Sequence, residues 1–179
     1  MSDRYPQFPP EAVSVTEILT ETGLVDTRFF NELSAKIGTE SHLACRYLAE
    51  DRLDWTSLDP KIEPYVRSYE KFLTATGEKA RSVEQSGYCM IRKYCGTWDV
   101  VFNYLADLKT GSYQPWHRAQ LGGYSLLALH QSDVKRLATI YLQADGSIAK
   151  ARFHPAYICE AEFLCALSFY RLKEQYKCR

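Results

Sequence analysis

The chain has 179 residues, with 22 basic and 22 acidic side chains, and is formally neutral at pH 7. That length suits one domain with a sizeable core, and the zero net charge excludes a protein that draws a polyanion through its global field. No apolar run approaches the roughly 20 residues of a membrane span, and the start of the chain lacks the apolar core of a signal peptide, so a cytoplasmic protein is expected.

Neutrality hides an asymmetry. Residues 1–78 carry fourteen acids and eight bases, and residues 79–179 carry eight acids and fourteen bases. Six cysteines (Cys45, Cys89, Cys95, Cys159, Cys165, Cys178) without a secretory signal read as reduced thiols, best used as small buried side chains.

After a proline-rich lead, Ser14-Val15-Thr16-Glu17 forms a capping box. The short helix it opens is predicted to stop at Gly23. Asp26 is placed to cap a second helix, carrying Phe29, Phe30 and Leu33 and ending near Gly38. Thr39 then starts a third, with His42 one turn in. Residues 54–59 are polar and loop-like. Asp59 caps a helix with Pro60 in its first position, whose core stripe is Ile62, Tyr65, Val66, Tyr69, Phe72 and Leu73, ended by Gly77. Strands are expected over 80–85, 88–95 and from Thr97 into a hairpin. Ser86-Gly87 turns between the first two, and Phe102-Asn103-Tyr104 loops between the last pair.

Pro115 opens a helix running to about His130. In it Gly122 and Gly123, each costing about 1 kcal/mol against alanine, imply close packing on the sheet or on a substrate backbone. A strand over 134–143, a turn at Asp145-Gly146 and a return strand over 147–153 follow. His154 reads as a boundary residue before Pro155. The last helix, to about Tyr176, is expected to bury Tyr157 or Ile158, Ala161, Leu164 or Cys165, Ser168 and Leu172. Its basic end, Arg171, Lys173, Lys177 and Arg179, suits the helix dipole.

The chemistry concentrates between residues 96 and 124. In a strand, side chains two apart share a face, so Asp107 and Lys109 point one way and Leu108 the other. A loop through Phe102-Asn103-Tyr104 sets Asp99 opposite Asp107. Two carboxylates are a usual protein contribution to magnesium or manganese, and a lysine beside them can position a water or neutralise developing charge. A surface ion pair between Asp107 and Lys109 is the plainer alternative.

Four ordered motifs narrow this. Gly38-Thr39-Glu40-Ser41-His42, Gly96-Thr97-Trp98-Asp99, Asp107-Leu108-Lys109-Thr110-Gly111 and Gln120-Leu121-Gly122-Gly123-Tyr124 resemble the motifs of the RecB-like PD-(D/E)XK nucleases. The nearer likeness is to small phage-encoded exonucleases, with the nucleases of CRISPR spacer acquisition as cousins. It spans roughly residues 12–155. The resemblance implies that His42, Asp99, Asp107 and the Leu108 carbonyl bind metal, that Lys109 assists a water, and that Gln120 and Tyr124 organise the site and touch DNA. Relatives often carry a further acid, so Glu84 is a possible extra ligand. An imidazole ligand tilts the metal from magnesium toward manganese. Some relatives hold an iron–sulfur cluster, but the C-terminal cysteines here lack a C-x-x-C pair and none is expected.

Arg118 and Trp116 at the helix entrance, with Arg92 and Lys93, are candidate DNA contacts, and each is equally ordinary surface or packing. The resulting expectation is a single restriction-endonuclease-like α/β domain. A mixed, mostly antiparallel sheet of about five strands is flanked by helices: a helical part (1–78), the sheet with the motif helix (79–154) and a final helix (155–179). Metal-dependent DNA cleavage, with exonuclease favoured over endonuclease, is the activity that follows. A non-catalytic nucleic-acid-binding module, or a nuclease subunit of a larger complex, are the rivals.

Overall fold

Residues 5–25, 31–128 and 136–177 are described by the structure, a computed structural model. The chain enters through a two-residue strand, β1 (Val13–Ser14), which passes directly into helix α1 (Val15–Glu21). Ser14 caps that helix by accepting the Glu17 backbone N–H at 3.1 Å, and Gly23, at φ +76°, turns the chain away.

Helix α2 (Glu32–Ala49) differs from the expected pair of short helices. Its cap is Asn31, whose side chain accepts the Ser34 N–H at 2.7 Å while Ser34 Oγ accepts the Asn31 N–H at 3.3 Å. The helix runs unbroken through Gly38, so neither the stop at Gly38 nor the start at Thr39 exists. A mid-helix glycine costs about 1 kcal/mol, which the buried side chains of Ala44 and Cys45 offset. The proposed Asp26 cap, with Phe29 and Phe30, lies outside the described residues.

Helix α3 (Glu63–Thr76) buries Val66, Tyr69 and Phe72 and ends on left-handed Gly77, as the spacing requires. The helix starts three residues later than expected, with Ile62 at the cap position and no side-chain cap, so Pro60 is not its first residue and Asp59 instead accepts the Lys61 N–H at 2.8 Å in the turn before it.

Strand β2 (Ser82–Cys89) is continuous where a Ser86-Gly87 turn was predicted. It pairs antiparallel along the whole of β3 (Tyr94–Val101), with Ser86 opposite Thr97 and Gly87 opposite Gly96. The reversal falls instead at residues 90–93, where Lys93 takes φ +49°. Packing decides this: a Cβ at Gly87 would stand 3.1 Å from the Trp98 ring, so the glycine serves a close contact and not a turn.

Because β2 takes one edge of β3, the other edge is shared. Strand β1 pairs parallel at its start and β4 (Leu105–Lys109) antiparallel at its end, with Val101 opposite Leu105 across the expected three-residue loop. Past helix α4 (Trp116–Ala128), strand β5 (Leu137–Tyr141) lies parallel to β4 and β6 (Lys150–His154) antiparallel to β5. The sheet therefore has six strands, β1 being too short to show in an alternation pattern.

Helices α1, α4 and α5 (Ala156–Lys177) cover one face over a core of Trp98, Leu105, Leu121 and Phe163, while α2 and α3 cover the other over Val100, Ala106, Leu108 and Ile140. The two glycines of α4 face neither sheet nor substrate. A Cβ on Gly122 would stand 2.0 Å from the Cys159 carbonyl oxygen of α5, and one on Gly123 within 2.9 Å of Val15 and Phe163. That contact also overturns the stripe expected on α5. The buried residues are Cys159, Phe163, Ala166, Leu167 and Tyr170, and Tyr157, Ala161, Cys165, Ser168 and Leu172 are exposed.

Candidate active site

The site begins at an interruption of the pleat. In β3, Trp98 and Val101 pack toward α4 and α5, while Val100 between them packs toward α2 and α3. Strict alternation puts residues 98 and 100 on one face, so the phase changes at Asp99. On β2 the same step falls at Glu84, which takes φ +48°. The flanking pairs Val83–Val100 and Gln85–Trp98 hold the register, leaving Glu84 and Asp99 opposite one another. A non-glycine residue in the left-handed region costs on the order of 1–3 kcal/mol, and like charges directly across a ladder are unfavourable. Two adjacent costs at one pair of acids mark a position shaped for something other than stability.

Helix α2 then delivers His42. Its Nδ1 lies 3.1 Å from Asp99 Oδ1, and Asp99 Oδ2 accepts the Leu108 backbone N–H at 2.6 Å. His42, Glu84 and Asp99 each offer one ligand atom, all within 4.8 Å of one another. Two carboxylates and an imidazole at that spacing fit a divalent cation of the manganese or magnesium type. Burial opposes charge on His42, but the Asp99 carboxylate and its hydrogen bond lift the imidazole above its ordinary pKa. Burial likewise opposes ionisation of Asp99, and His42, Lys109 and the Leu108 N–H outweigh it, holding this carboxyl below the usual range. Gly38 stands beside this corner without being forced there, since a Cβ would meet only Thr110 Oγ1 at 3.7 Å.

Strand β4 contributes the second half. Asp107 is buried, and its Oδ2 sits 2.5 Å from Lys109 Nζ. Lys109 also donates to Gln120 Oε1 at 2.8 Å, and Gln120 Nε2 donates to the Tyr124 hydroxyl at 3.0 Å and to Thr16 Oγ1 at 3.4 Å. Gln120 and Tyr124 are four apart on α4, hence stacked on one face. The result is a line, Asp107–Lys109–Gln120–Tyr124, that fixes the ammonium from behind. Burial pushes the Asp107 carboxyl up to about 6, Lys109 opposing the shift and Asp99 adding to it.

The remaining candidates divide. Leu108, between Asp107 and Lys109, is in register with Ile140 of β5. Trp116 lies at the entrance of α4 with Lys109 Nζ 5.6 Å from its ring centroid. Arg118 pairs with Glu162 of α5 at 2.5 Å, which ties it to the helix interface. Arg92 and Lys93 sit in the β2–β3 turn, and their carbonyls accept from Arg171. They flank the opposite end of β3 from Asp99, some six residues or about 20 Å away along the strand.

Two further groups stand near the site: Thr16, known to the sequence only as part of a capping box, and His117, which with Trp116 and Arg118 marked the entrance of the motif helix as a place for an aromatic to stack on a base. Thr16 reaches Gln120 from α1, 104 residues away in the chain. His117 is held by Tyr141 Oη at 3.1 Å and accepts the Gln114 N–H at 3.3 Å; burial, with Lys109 nearby, drives its pKa down to about 3, so it stays neutral.

No family model and no curated protein matches the sequence. Solved structures do. The alkaline exonuclease LHK-Exo from Laribacter hongkongensis aligns over 94% of this chain and 92% of its own, with a TM-score of 0.48 and 13% identity. LHK-Exo in complex with dAMP aligns over 93% and 89%, with a TM-score of 0.51 and 12% identity. The fold matches that of an alkaline exonuclease. Identity this low speaks for the architecture, and the chemistry has to come from the residues themselves. Among the described residues, no helix is long and apolar enough to cross a membrane.

Proposed function

We propose that this chain is a divalent-metal-dependent nuclease that hydrolyses DNA phosphodiester bonds, working from ends. One observation carries the reading: an imidazole and two opposed carboxylates converge within 4.8 Å beside a buried Asp107–Lys109 pair whose ammonium is held by Gln120. His42, Glu84 and Asp99 would hold the cation, with Asp107 and the Leu108 carbonyl added by the motif resemblance. When bound, magnesium or manganese supplies Lewis-acid charge and makes water more acidic.

The chain's own groups do the rest. Lys109, fixed on its far side by Gln120, presents its remaining donors toward the carboxylates, where they orient a water and balance charge on a phosphate. Tyr124 and Thr16 fix the amide of Gln120, so the ammonium does not have to be ordered when substrate arrives. Trp116, beside Lys109, offers a ring on which a terminal base can stack. Digestion from ends is favoured by the likeness of the fold to LHK-Exo in complex with dAMP.

The test uses end-labelled linear DNA and closed circular DNA with magnesium or manganese. Linear DNA is degraded, circles survive, and Asp107→Ala and Lys109→Ala each lose activity by about 10²-fold or more. Binding to either substrate weakens as salt rises, because phosphate contacts release counterions. Full activity in Asp107→Ala would overturn the site, and cutting of circles would make the protein an endonuclease.

A further inference from the structure

The sheet keeps a polar face beyond the acids and Lys109. Lys109 of β4 is in register with Tyr141 of β5, and Tyr141 with Lys150 of β6. Residues directly opposite share a face, so a row of ammonium, phenol and ammonium crosses three strands, its ends about 10 Å apart by two strand spacings. The next row on the same face is Asp107, Thr139 and Arg152. Over these rows folds the loop from β4 to α4. It brings the Tyr113 ring to 6.4 Å from Tyr141 and 6.3 Å from His117 between centroids, and the Arg152 guanidinium lies 4.0 Å from the centre of the Tyr113 ring. His117 fixes Tyr141 through the 3.1 Å contact of Nδ1 with its hydroxyl. The cleft between loop and sheet measures about 350 Å³ and is lined by Thr110, Ser112, Tyr113, Tyr141, Gln143 and Lys150.

Its place and its charge both point to a ligand. The cleft lies past the carboxyl ends of the parallel strands β4 and β5, where open α/β sheets take their ligands. Lys150 and Arg152 are exposed, and among the described residues neither forms an ion pair. Asp145, in the turn from β5 to β6, gives its carboxylate to the Ser147 N–H at 2.9 Å instead. Stacking on Tyr113 holds the Arg152 guanidinium plane in place, and a plane so held can carry a base. Aromatic planes beside cations without acids suit an unpaired nucleotide, whose base has a π-face and whose phosphate is anionic. A simple anion would leave Tyr113 and Tyr141 without a role, and a duplex keeps its base faces inside its own stack.

We propose that this cleft is a second nucleotide subsite, resting on the nuclease reading above: a base of an unpaired DNA strand lies against Tyr113 and Arg152, and Lys150 meets the phosphate beside it. Trp116 and Tyr113 both pack on His117, with ring centroids 4.4 Å and 6.3 Å from it. One strand passing Lys109 therefore meets an aromatic at Trp116 and another at Tyr113, and the cleft holds a nucleotide that the acids and Lys109 do not touch.

Fluorescence anisotropy on the full chain tests it, in chelator so that binding is read without cleavage. Two probes carry the same phosphates: a thymidine dodecamer and a dodecamer of abasic tetrahydrofuran residues. Wild type prefers the first. Tyr113→Ala and Arg152→Lys each lower that preference by about tenfold and bind the abasic probe as wild type does, which also shows that they fold. Lys150→Ala weakens both probes alike and lowers the slope of log affinity against log salt by about 0.7, one phosphate of a single strand; Lys150→Arg restores it. A preference unchanged in Tyr113→Ala and Arg152→Lys, or a salt slope indifferent to Lys150→Ala, overturns the subsite even in an active nuclease. The same losses in a protein that cuts no DNA with magnesium or manganese keep the subsite and remove the nuclease reading.

Discussion

Two contacts of helix α4 show opposite uses of close packing. Toward α5 it brings Gly122 against the Cys159 carbonyl, backbone on backbone, with apolar side chains on either side. Toward the sheet it brings Gln120 and Tyr124 against Lys109, beside acids that crowd one another. The first contact lowers the energy of the fold outright. The second spends part of that gain on a strained Glu84, an opposed carboxylate pair and a buried ion pair. The tight apolar contact is what lets the same helix hold a charged line in register: a helix free to shift by an ångström would not keep Lys109 on Gln120.

The largest break in that comparison is at Gly122. Adding a single methyl, Gly122→Ala, puts a carbon on a backbone carbonyl with no room to retreat. The expected loss is more than about 3 kcal/mol, read from the urea midpoint. An unchanged midpoint would show that the helices can part freely.

Next comes the ion pair. Lys109→Met leaves Asp107 buried without its partner and costs about 3 kcal/mol at pH 8, while Lys109→Met/Asp107→Asn recovers most of it. The pH dependence sharpens this. The Asp107 carboxyl has a folded pKa of about 6, raised above its unfolded value. It thus favours the native state at low pH, and that contribution is lost as pH rises through 6. The melting temperature of wild type relative to Asp107→Asn should therefore fall between pH 4 and pH 7; a flat difference argues against a raised carboxyl.

A divalent cation is expected to reverse part of the crowding. At a hundredfold excess over its dissociation constant, manganese should stabilise by about 2.7 kcal/mol, seen as a rise in melting temperature at pH 8. That rise should shrink as pH falls from 8, first where His42, held above its ordinary imidazole value by Asp99, takes up a proton and then as Asp107 does near 6, since both protons compete with metal. Glu84→Gln should halve it or more. A shift untouched by Glu84→Gln and Asp99→Asn would remove those acids from any cation site.

The smallest effect belongs to Tyr124→Phe. It withdraws the hydroxyl that accepts from Gln120 Nε2 at about 1 kcal/mol, with Thr16 as the remaining acceptor. The expected signature is a lower kcat at unchanged KM, since the ring and its burial stay and only the fixing of Lys109 is loosened.

Local signals were read well where one residue decides the outcome. Ser14 and Gly77 mark helix ends by their own hydrogen bonding and backbone freedom, and Phe102-Asn103-Tyr104 loops because the strands beside it alternate in phase. The errors fell where two segments compete. Ser86-Gly87 has turn chemistry, yet the ladder with β3 and the Trp98 ring hold it extended. On α5 the periodicity picked a genuine apolar stripe, the outward one, because nothing in a single helix says which of two such faces meets a neighbour.

The sequence alone determined which groups a candidate site could draw on, the acids at 84, 99 and 107, the lysine at 109 and the imidazole at 42, and the short strand and helix that carry Asp107, Lys109, Gln120 and Tyr124. It did so because propensity, capping and alternation are short-range. Tertiary structure alone decided the rest. The pleat changes phase at Glu84 and Asp99, Thr16 arrives from 104 residues away, and Gly122 selects the inward face of α5, since each depends on atoms brought together only once the sheet and its two helical layers have closed.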